Sequence, residues 1–83
     1  MDRKIILDTV INNIKLNVDG IEDVEISADK SMKDYGASSL DIVEIVSSSM
    51  RQLKIKVPRT QLAELKNIDE LVDVFFQAKN QAA

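Results

Sequence analysis

The sequence predicts an all-α protein, a four-helix bundle of three longer helices and one short helix with a long loop between helices one and two. Three observations predict it. Aliphatic residues recur at helical spacing in separate stretches of the chain. Hydrophobic residues make up 45% of it, yet only Tyr35, Phe75 and Phe76 are aromatic, so aliphatic stripes must fill the interior. Finally, 83 residues without a cysteine leave packing between helices to stabilise a small core that no disulfide or thiolate zinc site supplements. A single domain over residues 1–83 is expected, with an exposed tail from about Lys79.

From Asp2 to about Asn17, Ile6, Val10 and Ile14 recur every four residues beside Leu7 and Ile11, the stripe of a first helix. Val18 to Asp34 contains Gly20, many acids and scattered apolar residues without sustained periodicity. It reads as a long connection with Ile21, Val24 and Ile26 turned inward. A structureless loop of that length is unusual, so a short turn is expected over Ser31 to Asp34, with Met32 and Tyr35 pinning it to the bundle.

Gly36 breaks the chain. From Ser38 or Ser39 the helical pattern resumes through Leu40, Val43, Val46, Met50 and Leu53, widened by Ile42 and Ile45. This second helix should end near Lys54, because Ile55, Lys56 and Val57 alternate like an extended segment and Pro58 disfavours helical geometry at Val57. Thr60 to Leu65 has room for only a short helix with Leu62 and Leu65 inward. Asn67 and Glu70 then have capping-box spacing ahead of a last helix through Leu71, Val72, Phe75 and Phe76.

Charge and composition narrow the function. There is no histidine and no cysteine, which removes the usual general base, the usual metal ligands and every Ser-His or Cys-His pairing. Independent catalysis and a metal site are not expected. Eleven basic residues against fourteen acidic ones give a net charge of -3, unfavourable to nucleic-acid phosphates and to anionic lipid. No apolar run approaches the roughly 20 residues of a membrane-spanning helix, and the charges within Met1 to Val10 do not suit a signal peptide. A monomeric cytoplasmic protein with protein partners is expected, with neither nucleic acid nor membrane among them.

The informative segment is Asp34-Tyr35-Gly36-Ala37-Ser38-Ser39-Leu40-Asp41, a glycine-bearing loop that delivers a serine to the start of an amphipathic helix. A hydroxyl there is exposed, and the unpaired amides of a helix start favour a neighbouring phosphate diester. Ser38 or Ser39 can also simply cap the helix, a role compatible with modification. A serine-hydrolase elbow is excluded, since its second glycine is missing and no histidine exists to activate the hydroxyl. Asp41 and Glu44 put negative charge one turn in, where a basic enzyme can dock.

These residues resemble the acyl carrier proteins, whose attachment motif is typically Gly-x-Asp-Ser-Leu at the start of the second helix. Here it reads Gly36-Ala37-Ser38-Ser39-Leu40, followed in the family's register by Asp41, Val43 and Glu44 and, later, by Val57-Pro58 where the family has Ile-Pro. The resemblance spans roughly residues 2 to 78. It implies a covalent 4'-phosphopantetheine, taken from coenzyme A by a phosphopantetheinyl transferase and attached to Ser39. It also implies a partner-binding surface of Ser38, Leu40, Asp41, Val43 and Glu44. Periodicity alone would bury Val43, whereas its position one turn from Ser39 would expose it to a partner. Both readings stand at this stage.

Two departures matter. Ser38 stands where the family usually has aspartate, which bears on the approach of the transferase. Between Ile45 and Ala63 the chain carries Arg51, Lys54, Lys56 and Arg59 and no acid, where fatty-acid carriers are commonly acidic. This basic group is either a solvated face, with Arg51 and Lys54 complementing the helix dipole, or a device for partner selection centred on Arg51.

Within the family the chain looks most like the freestanding donor carriers of polyketide β-branching cassettes. The likeness lies in Lys33 to Asp41, in Lys54-Ile55-Lys56-Val57-Pro58 and in Lys66-Asn67-Ile68-Asp69-Glu70-Leu71-Val72-Asp73-Val74. That branch implies a malonyl group decarboxylated to acetyl and passed to an enzyme resembling hydroxymethylglutaryl-CoA synthase. An acyltransferase and a ketosynthase-like decarboxylase would be further partners. The competing readings are a general or specialised fatty-acid carrier and a helical interaction module whose Ser39 stays bare. A helix-turn-helix reading fails because its recognition helix would open on Asp41 and Glu44.

Overall fold

The computed structural model describes residues 2–62 and 65–81. Four helices organise them: α1 (Arg3–Asn17), α2 (Ser39–Leu53), the short α3 (Arg59–Leu62) and α4 (Ile68–Gln81). A 3-10 turn over Met32–Tyr35 interrupts the long connection between α1 and α2, one residue beyond the expected Ser31 to Asp34. The short helix covers the first part of its expected span; Ala63 and Glu64 lie outside the described residues, as do Ala82 and Ala83.

Asp2 begins α1, its carboxylate accepting from the Lys4 amide at 3.0 Å. The apolar stripe falls as its spacing dictates, with Ile6, Val10 and Ile14 fully buried. α1 packs against both α2 and α4. Ile45 and Leu53 of α2 and Ile68, Leu71, Val72 and Phe75 of α4 complete the core with Ile55 and Val57. Burying a side chain the size of Phe75 is worth roughly 1.5–3 kcal/mol.

One polar group sits inside this packing. Asn13, only 2% exposed, donates from Nδ2 to the Thr9 carbonyl at 3.0 Å, to Ser49 Oγ at 3.0 Å and to Gln52 Oε1 at 3.2 Å. With two hydrogens serving three acceptors, the amide shares its donation across the α1–α2 contact. Ser49 is fully buried beside it. Among the described residues no buried side-chain nitrogen or oxygen lacks a partner.

Both ends of α2 are fixed by local chemistry. At its start Ser38 Oγ accepts from the Asp41 amide at 3.1 Å while the Ser38 amide donates to Asp41 Oδ2 at 2.9 Å, a reciprocal capping box. Ser31 and Asp34 repeat it at the 3-10 turn. At the far end Lys54 is left-handed, with φ 57° and ψ 47°. Its amide donates to the Arg51 carbonyl and that of Ile55 to the Met50 carbonyl, at 3.4 and 2.9 Å. This is the paired bonding of a Schellman motif with lysine in the position glycine usually takes. The helix therefore ends on its own cap, four residues before Pro58.

The long connection is held by α4. The Ile68 amide donates to the Lys30 carbonyl at 3.0 Å and the Asp69 amide to the Ala28 carbonyl at 2.8 Å, so the loop supplies acceptors to amides that no helical turn can reach. The Tyr35 hydroxyl accepts from the Ser27 amide at 2.7 Å. Ile21 and Ile26 pack against the core. Val24, expected inward, is instead exposed: its amide closes a turn onto the Ile21 carbonyl, and the reversal that seats Ile21 carries Val24 to the other side.

Arg3 joins the starts of α1 and α4, its guanidinium 2.6 Å from both Asp69 Oδ1 and Asp73 Oδ1. These hydrogen bonds, Asp69 first, raise its already high pKa further. Asn67 Oδ1 accepts from the Glu70 amide at 2.8 Å, but Glu70 accepts from the Lys66 amide rather than from that of Asn67. The expected capping box is thus half formed and reaches back one residue further. Lys79, expected to open an exposed tail, instead lies within α4, which runs to Gln81, and its Nζ donates to the Leu53 carbonyl at 3.1 Å; residues 82 and 83 of the expected tail lie outside the described residues.

Replacing Asn13 with alanine should lower the unfolding free energy by about 1–3 kcal/mol, the cost of stranding buried partners; an unchanged urea midpoint would show that the network contributes nothing. Ser38→Ala should cost about 1 kcal/mol and Ser38→Asp almost nothing, since aspartate caps as well as serine. Thermal melts of the two variants side by side check it, and equal losses would contradict the capping role.

Candidate functional site

The site is built on a turn that only certain residues can make. Gly36 has φ 94° and ψ 9°, a left-handed conformation that side chains resist. A Cβ there would meet Val18 at an ordinary 3.8 Å, so the glycine is required by the backbone angle and not by space. Its amide donates to the Lys33 carbonyl and that of Ala37 to the Met32 carbonyl, at 3.0 and 3.2 Å. Ala37 is buried and anchors the loop. The chain then emerges into Ser38 and the capped start of α2.

Ser38 and Ser39 divide the two roles open to a serine at this place. Ser38 is the cap; Ser39 is the first residue of the helix and is exposed. Among the described residues the Ser39 hydroxyl has no hydrogen-bond partner, and the Ser39 and Leu40 amides, unlike those of Asp41 and Ile42, have none either. Helical geometry leaves such amides unpaired by necessity. An exposed hydroxyl beside two free amides fits a phosphodiester, with Ser39 Oγ as the ester oxygen and the amides as donors to the phosphate.

Around this serine the second helix presents an apolar and charged face. Leu40 is 82% and Val43 57% exposed, which settles the alternatives for Val43 toward solvent. The reason is angular. At 3.6 residues per turn Val43 lies about 160° around the helix from Ile45, and the buried Ile45, Ser49 and Leu53 define the core side. Asp41 folds back onto Ser38. Ser48 Oγ donates to Glu44 Oε1 at 2.9 Å and accepts from Arg51 Nη2 at 3.3 Å.

Ser39, Leu40, Asp41, Val43 and Glu44 are therefore brought together on the first two turns. Arg51 is not among them; twelve residues on, it stands about 18 Å further along the axis. Lys54 and Lys56 are exposed near it, while the Arg59 side chain lies outside the described residues. Asp34, at the foot of the loop, has its carboxyl held below the usual range by the Ser31 amide and then the Ser31 hydroxyl.

The structure adds a feature that sequence reasoning missed. A cavity of about 550 Å³ lies between α2, the 3-10 turn and the segment from Leu62 to Leu71, with Ile42, Val43, Val46, Ser47 and Met50 on its α2 wall, so that Val43 borders both the cavity and the exposed face. Val46 lines the cavity, whereas Ile45 and Phe75 are sealed in the core. Helical spacing alone gave no signal for this division. Among the described residues no group of His, Cys, Asp or Glu could hold a metal ion, and no helix is long and apolar enough to cross a membrane.

The comparisons with known proteins bear on this same helix start. Residues 11–75 match the model of the phosphopantetheine attachment site family. The chain is 29% identical over 82 residues to the polyketide biosynthesis acyl-carrier-protein AcpK of Bacillus subtilis (strain 168), covering 99% of this chain and all of that protein. It also superposes with a TM-score of 0.82 and 31% identity on a chain in the crystal structure of the curacin biosynthetic pathway HMG synthase in complex with acetyl donor-ACP. That match covers 90% of this chain and 96% of the other. Matched over most of its length to a model built around a covalent arm, and presenting a free hydroxyl at a capped helix start, the chain belongs to the phosphopantetheine attachment family as a non-catalytic acyl carrier protein whose cofactor is a covalent 4'-phosphopantetheine.

Proposed function

We propose that residues 1–83 form one carrier domain, that the arm is attached to Ser39, and that the chain donates acetyl to a hydroxymethylglutaryl-CoA synthase-like enzyme in polyketide β-branching. The observation that carries the reading is the near full-length match, at 31% identity, to a chain in the crystal structure of an HMG synthase in complex with an acetyl donor carrier. The carrier named in polyketide biosynthesis, matched end to end, points the same way.

Once attached, the arm supplies the thiol on which an acyl group rides as a thioester. The chain's own residues hold, orient and present it. Ser38 and Asp41 fix the helix start, so Ser39 projects from a rigid base. Tethering makes each transfer effectively intramolecular after docking, which raises the effective concentration of the acyl group at a partner's active site. Docking itself then needs only modest affinity.

Leu40 and Val43 are the apolar contacts of the docking surface, with Ser38, Asp41 and Glu44 around them and Arg51 at its far end. The phosphopantetheinyl transferase uses the near part. The acyltransferase, the ketosynthase-like decarboxylase and the synthase use the whole strip, and Arg51 selects among them by charge. We place this work in the cytoplasm and in a monomer.

Incubation with coenzyme A and a phosphopantetheinyl transferase should add the mass of one phosphopantetheine to the wild type and nothing to Ser39→Ala; modification of both would move the site elsewhere. Arg51→Glu should weaken binding of the acetylated carrier to its synthase by about tenfold, roughly 1.4 kcal/mol, and leave the thermal midpoint unmoved. Unchanged affinity in a direct binding titration would remove Arg51 from the docking surface.

A further inference from the structure

Three serines in a row, Ser47, Ser48 and Ser49, occupy the middle of α2, although serine is only a moderate helix former. Successive positions face about 100° apart, and the three do different work. Ser47 lines the cavity, and Ser49 accepts from Asn13 inside the core. Ser48 is 8% exposed, yet its hydroxyl bonds to two charged side chains at the surface, donating to Glu44 Oε1 and accepting from Arg51 Nη2.

Glu44 and Arg51 are both exposed, and neither is in an ion pair among the described residues. Seven residues apart, they stand about 10 Å from each other along the axis, outside the three- and four-residue spacings at which helical side chains meet. Ser48 falls four residues after one and three before the other. A hydroxyl there can donate and accept at once, so it joins carboxylate and guanidinium into a single array. Both bonds are charge-assisted. Because the hydroxyl is almost covered, water competes for it poorly, unlike an ion pair between two exposed side chains.

The array also sets a direction. Left to the helix dipole, a cation at position 51 would be drawn to the last carbonyls of α2. The bond to Ser48 draws Arg51 Nη2 back toward the end that carries Ser39. Long side chains ordinarily lose conformational freedom when a partner orders them, and two that are already ordered lose less.

We propose that Ser48 is a positioning residue for docking, one that touches no partner and holds Glu44 and Arg51 as a preset acid and base. The partner this array fits is an enzyme surface with a basic side chain opposite Glu44 and a carboxylate opposite Arg51. The inference rests on the reading of Arg51 as part of the docking surface for the synthase-like enzyme.

The test is a binding titration of the acetylated full chain against its synthase, with thermal melts of every variant alongside. Ser48→Ala should weaken binding about fivefold by releasing both charged side chains, without lowering the melting midpoint, since alanine is the better helix former. Ser48→Thr and Ser48→Val are alike in shape and differ in the hydroxyl. The threonine variant should bind as the wild type does, the valine variant as Ser48→Ala does. Arg51→Gln should also weaken binding, and adding Ser48→Ala to it should cost less than Ser48→Ala costs alone, because the two residues act through one array.

A purely structural serine would move the melting midpoint and leave the two losses additive. That result, or equal affinities for the threonine and valine variants, would overturn the inference with Arg51 still a docking residue. Should Arg51→Gln bind as tightly as the wild type, the reading of Arg51 fails and the inference fails with it.

Discussion

The reciprocal bond between Ser38 and Asp41 is the constraint from which the rest of the site follows. It satisfies the Ser38 and Asp41 amides with each other's side chains, so α2 has one favoured starting residue and Ser39 one favoured place on it. Shift the start by a single residue and every side chain of α2 turns by about 100°. Ile45 would turn away from the core. The box also explains why the departure at Ser38 is tolerable: serine and aspartate are both good caps, so the exchange alters the charge at the start of α2 and keeps the geometry.

A start fixed in this way still needs a scaffold to hold it against the bundle. Asn13 provides part of it by binding Ser49 and Gln52 across the α1–α2 contact. Apolar packing is tolerant of sliding, whereas a buried amide that loses its partners is penalised at once, and this asymmetry fixes the register of one helix on the other. The connection from Val18 to Ser31 is held at its other end, where Lys30 and Ala28 offer carbonyls to the first amides of α4. The loop and the last helix each complete what the other lacks.

How far this was legible in the sequence varies with the kind of signal. Helix positions follow from aliphatic spacing, and the loop serine from Gly36 and the pattern after it. The buried roles of Asn13 and Ser49 were hidden because polar residues ordinarily mark a surface, and only their mutual partners in space make them core. Leu40 and Val43 continue the helical stripe of α2, so periodicity alone would bury them, yet their place beside Ser39 and away from Ile45 exposes both, as expected for Leu40. The Ser-x-x-Asp spacing at Ser31 and Ser38 makes full capping boxes, while the Asn-x-x-Glu spacing at Asn67 makes only half of one, because Glu70 reaches the Lys66 amide. The cavity left no linear trace, since Lys33, Met50 and Lys66 come from separate elements.

Two sectors of α2 now have distinct physical characters, and the difference between them constrains how a carrier of this kind works. Leu40, Glu44 and Arg51 form an outward strip whose charge changes sign along its length, which gives a docking partner an orientation as well as an affinity. Ile42, Val46 and Met50 form an inward wall that faces two lysines. Ser39 sits at the head of both.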